Sequence, residues 1–244
     1  MQLVIAKNKK IGDKKAFEVI KNQILKKPSS LIGLASGKTT DGLYKLISKD
    51  VSNHPKRWKN VKVFQIDEKL GVYFNSKDSF NFEIRNELKS LFKIIDPKNI
   101  FLMDGTQNPK KTIKNAYKFI KKNKGIDLII LGLGPEYDPH IAYNTSGKSS
   151  LDSRMRVVKL HPKVGACRSK PIQRITKGIT LGIKDILGAK KVLLIAYGKE
   201  KAKSIKLAFG EKVNTKRASA SALQLHRNLT VVVDKNAALN LKNI

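Results

Sequence analysis

Residues 126–158 read IDLIILGLGPEYDPHIAYNTSGKSSLDSRMRVV, and their first third decides the fold. An apolar run closing on Gly132 passes into a glycine-rich turn, as a buried strand does where it leaves a sheet. Past the turn, Asp138 and His140 stand two positions apart. Side chains at that separation on extended or turning backbone can point the same way, so a carboxylate there can fix the tautomer of an imidazole. The pair suits proton transfer. A polar surface loop accommodates the same two residues, and spacing alone leaves both readings open.

Outward from this stretch, apolar β-rich runs recur at 3–6, 31–35, 61–66, 127–132, 192–196 and 229–233. Between them, 14–26, 41–51, 80–92, 109–122, 176–187 and 200–209 carry apolar residues at three- and four-residue spacing, the period of an amphipathic helix. Strands apolar throughout and joined by helices imply α/β architecture: a mostly parallel central sheet with helices on both faces, three layers in all. In such sheets ligands gather at the carboxyl ends of the strands. The 244 residues suit one domain spanning 1–244, since no repeat, low-complexity linker or Pro/Gly-rich hinge divides them.

The formal net charge of +31 raises nucleic-acid or anionic-membrane binding. The lysines, however, are scattered in pairs such as Lys26–Lys27, Lys121–Lys122 and Lys190–Lys191, without an aromatic-interleaved stripe or a basic tail. No specific nucleic-acid partner is expected. Non-specific, salt-sensitive association with polyanions follows from a field of this size. The apolar runs are far too short to span a bilayer and no secretory leader is visible, so a cytoplasmic protein with no membrane partner is expected. One cysteine, Cys167, excludes an intrachain disulfide and a cysteine-based metal cluster.

Three further segments fall at strand ends. After 31–35 comes Ser36-Gly37-Lys38-Thr39-Thr40 and then a helix, so backbone N–H groups, hydroxyls and a helix N-terminus converge as in a phosphate cradle. It is neither a Walker loop nor a dinucleotide fingerprint, and the hydroxyls also suit plain helix caps. After 61–66 comes Asp67-Glu68, adjacent carboxylates of which one can face the cleft while the other faces away. The first could act as general base beside a carbonyl; a solvated acidic turn is the plainer alternative. Lys201, in the first turn of the helix after 192–196, wants an anion as partner. Arg168 is a candidate for a second anion clamp of bidentate geometry, although in a chain this basic a single Lys or Arg is more often surface than ligand.

In order along the chain, these segments resemble the glucosamine-6-phosphate deaminase family, within the superfamily that includes the 6-phosphogluconolactonases. Gly33-Leu34-Ala35-Ser36-Gly37-Lys38-Thr39-Thr40 is similar to its phosphate loop, Asp67-Glu68-Lys69-Leu70-Gly71 to its Asp-Glu-Tyr-Val-Gly, and Asp138-Pro139-His140-Ile141-Ala142-Tyr143-Asn144-Thr145 to its Asp-Gly-His-Ile-Ala-Phe-Asn-Glu. Ser149 to Arg154 and Leu223 to His226 resemble the deaminase branch more than the lactonase branch.

The resemblance implies a Rossmann-like fold and conversion of glucosamine 6-phosphate and water to fructose 6-phosphate and ammonia, with no metal and no organic cofactor. It assigns ring opening to His140, oriented by Asp138, and proton transfer between C2 and C1 to Asp67. Ser36, Gly37, Lys38, Thr39, Arg168 and Lys201 would hold the sugar phosphate. Homo-oligomers occur in the family alongside monomers. Three positions depart from it: Thr145 replaces the relay glutamate, Pro139 a glycine, and Lys69 a tyrosine. Lactone hydrolysis of 6-phosphogluconolactone, or sugar-phosphate binding without turnover, are the alternatives that these departures leave.

Overall fold

Each of the six apolar runs becomes a strand of one sheet. The computed structural model describes residues 1–161 and 175–241. Along the chain lie β1 (Gln2–Ala6), α1 (Lys9–Lys26), β2 (Leu31–Leu34), α2 (Asp41–Asn53), α3 (Pro55–Trp58), β3 (Lys62–Gln65), β4 (Asp67–Lys69), α4 (Phe80–Glu87) and α5 (Lys89–Phe92). Then follow β5 (Ile100–Phe101), α6 (Pro109–Lys122), β6 (Leu128–Gly132), β7 (Arg156–Lys159), β8 (Lys177–Thr180), α7 (Ile183–Leu187), β9 (Val192–Ala196), α8 (Ala202–Phe209) and β10 (Leu229–Asp234). Helix starts are marked by side chains that accept orphan amides: Asn8 before α1, Ser79 before α4, and Asn108 before α6, whose first residue is Pro109.

The main sheet runs β1-β10-β9-β6-β2-β3-β5, with every neighbouring pair parallel. Alternate residues of the buried strands feed two cores. Leu31, Ile129, Leu131, Leu194 and Val231 pack with Ala116 of α6, Ile186 of α7 and Ile205 of α8. On the other face Ile32, Leu34, Ile130, Leu193 and Val232 pack with Ile20 of α1, Ile47 of α2 and Trp58 of α3. Both faces being covered explains why the strands read as unbroken apolar runs.

From β2 the chain winds outward through β3 and β5, and from β6 it winds the opposite way through β9 and β10. The adjacent pair β2 and β6 is therefore the switch point, where loops at the carboxyl ends diverge and leave a crevice. At the opposite end of this pair, buried Asp127 accepts from Leu31 N (2.9 Å) and pairs with Lys27 and Lys190 (both 2.8 Å).

A second sheet, β4-β8-β7, is antiparallel and was not legible as such. The helix expected over 176–187 is corrected: Lys177–Thr180 is strand β8, and only Ile183–Leu187 is helical. Gly178 is a poor helix former, and a side chain there would come within 2.9 Å of the Tyr143 ring. Pairing on both edges, with β4 and β7, outweighs the weak helical period. The helix expected over 80–92 is interrupted at Leu88, between α4 and α5.

Candidate active site

The crevice at the switch point is a cleft of about 260 Å³, lined by residues following β2 (Ser36, Thr39), β3 (Asp67) and β6 (Gly134, His140, Tyr143). The loop after β6 sets the dyad. Gly134 N donates to His140 O at 2.8 Å, folding the loop back so that a Cβ on residue 134 would lie 2.4 Å from Asp138 O and 2.7 Å from His140 Nδ1. Only glycine fits that approach. His140 Nδ1 lies 3.0 Å from Asp138 Oδ2, while Asp138 Oδ1 accepts from Ser146 N at 2.9 Å. Burial pushes the Asp138 carboxyl up, but the hydrogen bonds from His140 and the Ser146 amide outweigh it and hold it below the usual carboxylate range. An ionised Asp138 fixes the proton on Nδ1 and leaves Nε2 for a ligand. Ala142, just beyond, sits in the left-handed region at φ 48°, as strained residues at binding loops do.

Asp67 and Glu68 divide their tasks as adjacent residues on a strand must. Glu68 faces inward and is fully buried: its carboxylate accepts from Lys69 N (2.8 Å), Phe80 N (3.0 Å), Gln65 Nε2 (3.0 Å), Ser79 Oγ (2.8 Å) and Asn81 N (2.9 Å). It thus fastens β4 to the N-terminus of α4, where a negative charge is favoured. Asp67 faces the cleft at 6% exposure, and among the described residues none donates a hydrogen bond to its carboxylate. Burial, joined by the Glu68 charge, pushes it up to about 8, against the pull of Lys69. A carboxylate so raised is a base poised near neutrality.

The loop after β2 keeps its hydroxyls for something other than capping. Ser36 Oγ is buried with no hydrogen-bond partner among the described residues, and Thr40, at the start of α2, makes no side-chain cap. Thr40 Oγ1 instead donates to Gly37 O at 2.8 Å, and Gly37 adopts φ 119°, a conformation suited to glycine. Gly37 N donates to Glu83 Oε1 at 2.9 Å. Thr39 lines the cleft, whereas Lys38 is exposed. Lys201 differs from expectation in its partners: Nζ donates to Leu133 O (2.7 Å) and Gly134 O (3.2 Å), bracing the dyad loop, and burial lowers its pKa. Arg168 and Cys167 lie outside the described residues.

Sequence reading missed four contributors. Glu83 holds the cradle's amide, and Phe80 stacks on Tyr143 with ring centroids 5.7 Å apart. The Tyr143 hydroxyl is buried without a partner among the described residues, and Asn144 ties the dyad loop to Leu181 O at 2.9 Å. Tyr143 and Asn144 were inside the quoted motif, but nothing local signals which hydroxyl or amide is buried. Glu83 comes from a helix with no chemical signature. His226, in the segment that resembles the deaminase branch, is buried and holds a backbone carbonyl: Nε2 meets Ala189 O at 2.8 Å.

Fold and site together define a doubly wound α/β protein in which titratable side chains from β4 and from the loop after β6 face one cleft beside the hydroxyl- and amide-bearing loop after β2. The chain belongs to the glucosamine-6-phosphate isomerase/6-phosphogluconolactonase family, whose model matches residues 12–232. Its relatives include a glucosamine-6-phosphate deaminase of Clostridium botulinum strain Langeland, 34% identical over 99% of both chains. One of Mycoplasma mycoides subsp. mycoides is 32% identical over 100% of this chain and 99% of its own. Among solved structures, a monomeric glucosamine-6-phosphate deaminase superposes with TM-score 0.88 at 25% identity, covering 98% of this chain and 100% of that one. A 6-phosphogluconolactonase from Trypanosoma brucei, 18% identical with TM-score 0.76 over 99% of this chain and 98% of its own, shares the fold.

Proposed function

We propose that this chain is a glucosamine-6-phosphate deaminase, converting glucosamine 6-phosphate and water to fructose 6-phosphate and ammonia. The observation that carries the reading is the pairing, across one cleft, of an Asp138-oriented His140 with the raised carboxylate of Asp67. Two titratable groups on separate segments, Asp67 on β4 and His140 in the loop after β6, suit a reaction in which protons move at two places on the sugar. The curated relatives named glucosamine-6-phosphate deaminase, spanning nearly the whole chain, support the choice of substrate.

His140 Nε2 takes the C1 hydroxyl proton and passes it to the ring oxygen as the pyranose opens to the C1 aldehyde, and Asp138 stabilises the transient imidazolium through Nδ1. Asp67 then takes the C2 proton, made acidic by the neighbouring C1 carbonyl, which leaves an enolamine as the C1 oxygen is protonated. Return of the proton from Asp67 to C1 turns the enolamine into a C2 imine, which water cleaves to ketone and ammonia. Ser36, Gly37, Lys38 and Thr39 receive the phosphate at the start of α2, with Lys201 and Arg168 as further cations. Holding the phosphate fixes the sugar against both proton carriers, and orientation of this kind supplies a large share of a barrier reduction. In this scheme the dyad works without a third carboxylate at Thr145. The C–N cleavage by water makes the enzyme a hydrolase in outcome, though its central step is an isomerisation.

A phosphate ester is confined to the cell by its charge, so the proposed substrate implies a cytoplasmic enzyme. Side-by-side kinetics on glucosamine 6-phosphate and 6-phosphogluconolactone test the reading. The deaminase assignment predicts a kcat/KM preference for the amino sugar of several orders of magnitude; preferential lactone hydrolysis overturns it.

A further inference from the structure

The phosphate loop is already engaged by an anion of the protein itself. Glu83, on α4, places Oε1 2.9 Å from Gly37 N, the amide at the turn of the cradle. Two more carboxylates crowd the same point: Asp41, the first residue of α2, and Glu87, one turn along α4, each offer an oxygen within 4.8 Å of Glu83 and of each other. Glu87 Oε2 is buried with no partner among the described residues. Three carboxylates beside a site for a dianion are an arrangement that charge alone disfavours, by repulsion in a partly desolvated cleft.

We propose that Glu83 sets the affinity of the cleft for phosphate esters, by competing for the Gly37 amide, and that a bound phosphate displaces this carboxylate while the Asp41–Glu83–Glu87 cluster takes up a proton. The inference rests on the loop being the phosphate cradle of the proposed reaction. The charged and titratable described groups around the cluster include Asp41 and Tyr44 from α2, Asp67 from β4, Tyr143 from the dyad loop and Glu87 from the same helix, all near Glu83, with Lys45 of α2 acting on Glu87. Burial holds both tyrosines neutral. Burial, and then the Asp41 charge, push Glu87 up to about 8, so the cluster retains a proton at neutral pH and releases it on the alkaline side. As pH rises from 7 to 9 the cluster becomes more negative, and a dianion in the loop is held less firmly.

Inorganic sulfate is the probe, since its charge is constant over this range. Its dissociation constant is measured calorimetrically at pH 7 and 9, at fixed ionic strength, for the full chain and for its Glu83→Gln and Glu87→Gln variants, each confirmed as folded by circular dichroism. The expected result is weaker binding at pH 9 than at pH 7 in the wild type, about tenfold tighter binding at pH 9 in Glu83→Gln, in line with the weight of one charged hydrogen-bond partner, and a flattened pH dependence in both variants. Equal affinities and equal pH slopes in all three proteins overturn the role of Glu83 and leave the cradle standing. Absence of sulfate binding in every form, when a Ser36→Ala control also leaves the KM for glucosamine 6-phosphate unchanged, overturns the cradle and the inference with it.

Discussion

Replacing Asp67 by Asn separates what this residue does for catalysis from what it costs the fold. Its ordinary value of 3.8 is raised to about 8 in the folded protein. Native protein therefore keeps the proton at pH values where the unfolded chain has released it, and stability is lost as pH rises between those two values. Linkage over that interval gives about 4 kcal/mol lost between pH 5 and pH 9, an upper bound because a buried site relaxes and admits water when it ionises. Asparagine carries no such term. The Asp67→Asn variant is thus expected to abolish turnover and to unfold at a higher denaturant concentration than the wild type, by a margin that grows from pH 5 to pH 9. Urea denaturation at both pH values, with activity measured on the same samples, checks both halves. A margin independent of pH refutes the raised carboxylate, and surviving turnover refutes its role as the base.

Glu68→Gln replaces one accepting oxygen by a donor among five converging donors, so a loss of about 3 kcal/mol in stability is expected by chemical denaturation. Because the Glu68 charge helps raise Asp67, the rise of kcat/KM with pH should move to lower pH in whatever fraction stays folded. Gly134→Ala forces a methyl to within 2.4 Å of Asp138 O and 2.7 Å of His140 Nδ1. It should lower kcat about a hundredfold through displacement of the dyad, with KM less affected; wild-type kcat in this variant contradicts the proposed loop geometry.

The central sheet was readable because its strands are buried on both sides, which leaves unbroken apolar runs such as LIILG at Leu128–Gly132. The small antiparallel sheet was not, because β4 is three residues of mixed charge, Asp67–Lys69, and β7 alternates half-buried and exposed positions. Their pairing is a property of distant segments, as is the conversion of 177–180 from expected helix to strand. Convergence of Ser36, Thr39, Asp67 and His140 on one cleft was legible, since their segments follow strands whose carboxyl ends share one edge, and Asp138 adjoins it through His140. Lys201 was read as a helix-end cation, yet its ammonium reaches two carbonyls of the β6 loop, a contact set by the spacing of β6 and β9. Glu83 could not be foreseen, because α4 is held beside the cradle by contacts with distant segments, among them Glu68 at its N-terminus, Met103 O and Ser48 of α2.

The most direct test of the deaminase reading is the parallel release of ammonia and fructose 6-phosphate from glucosamine 6-phosphate by the purified protein, beside its His140→Ala variant. Equal amounts of both products are predicted, with the rate reduced about 10²–10⁴-fold in the variant, the usual contribution of a positioned acid–base group. No release by the wild type, or undiminished release by His140→Ala, contradicts the account.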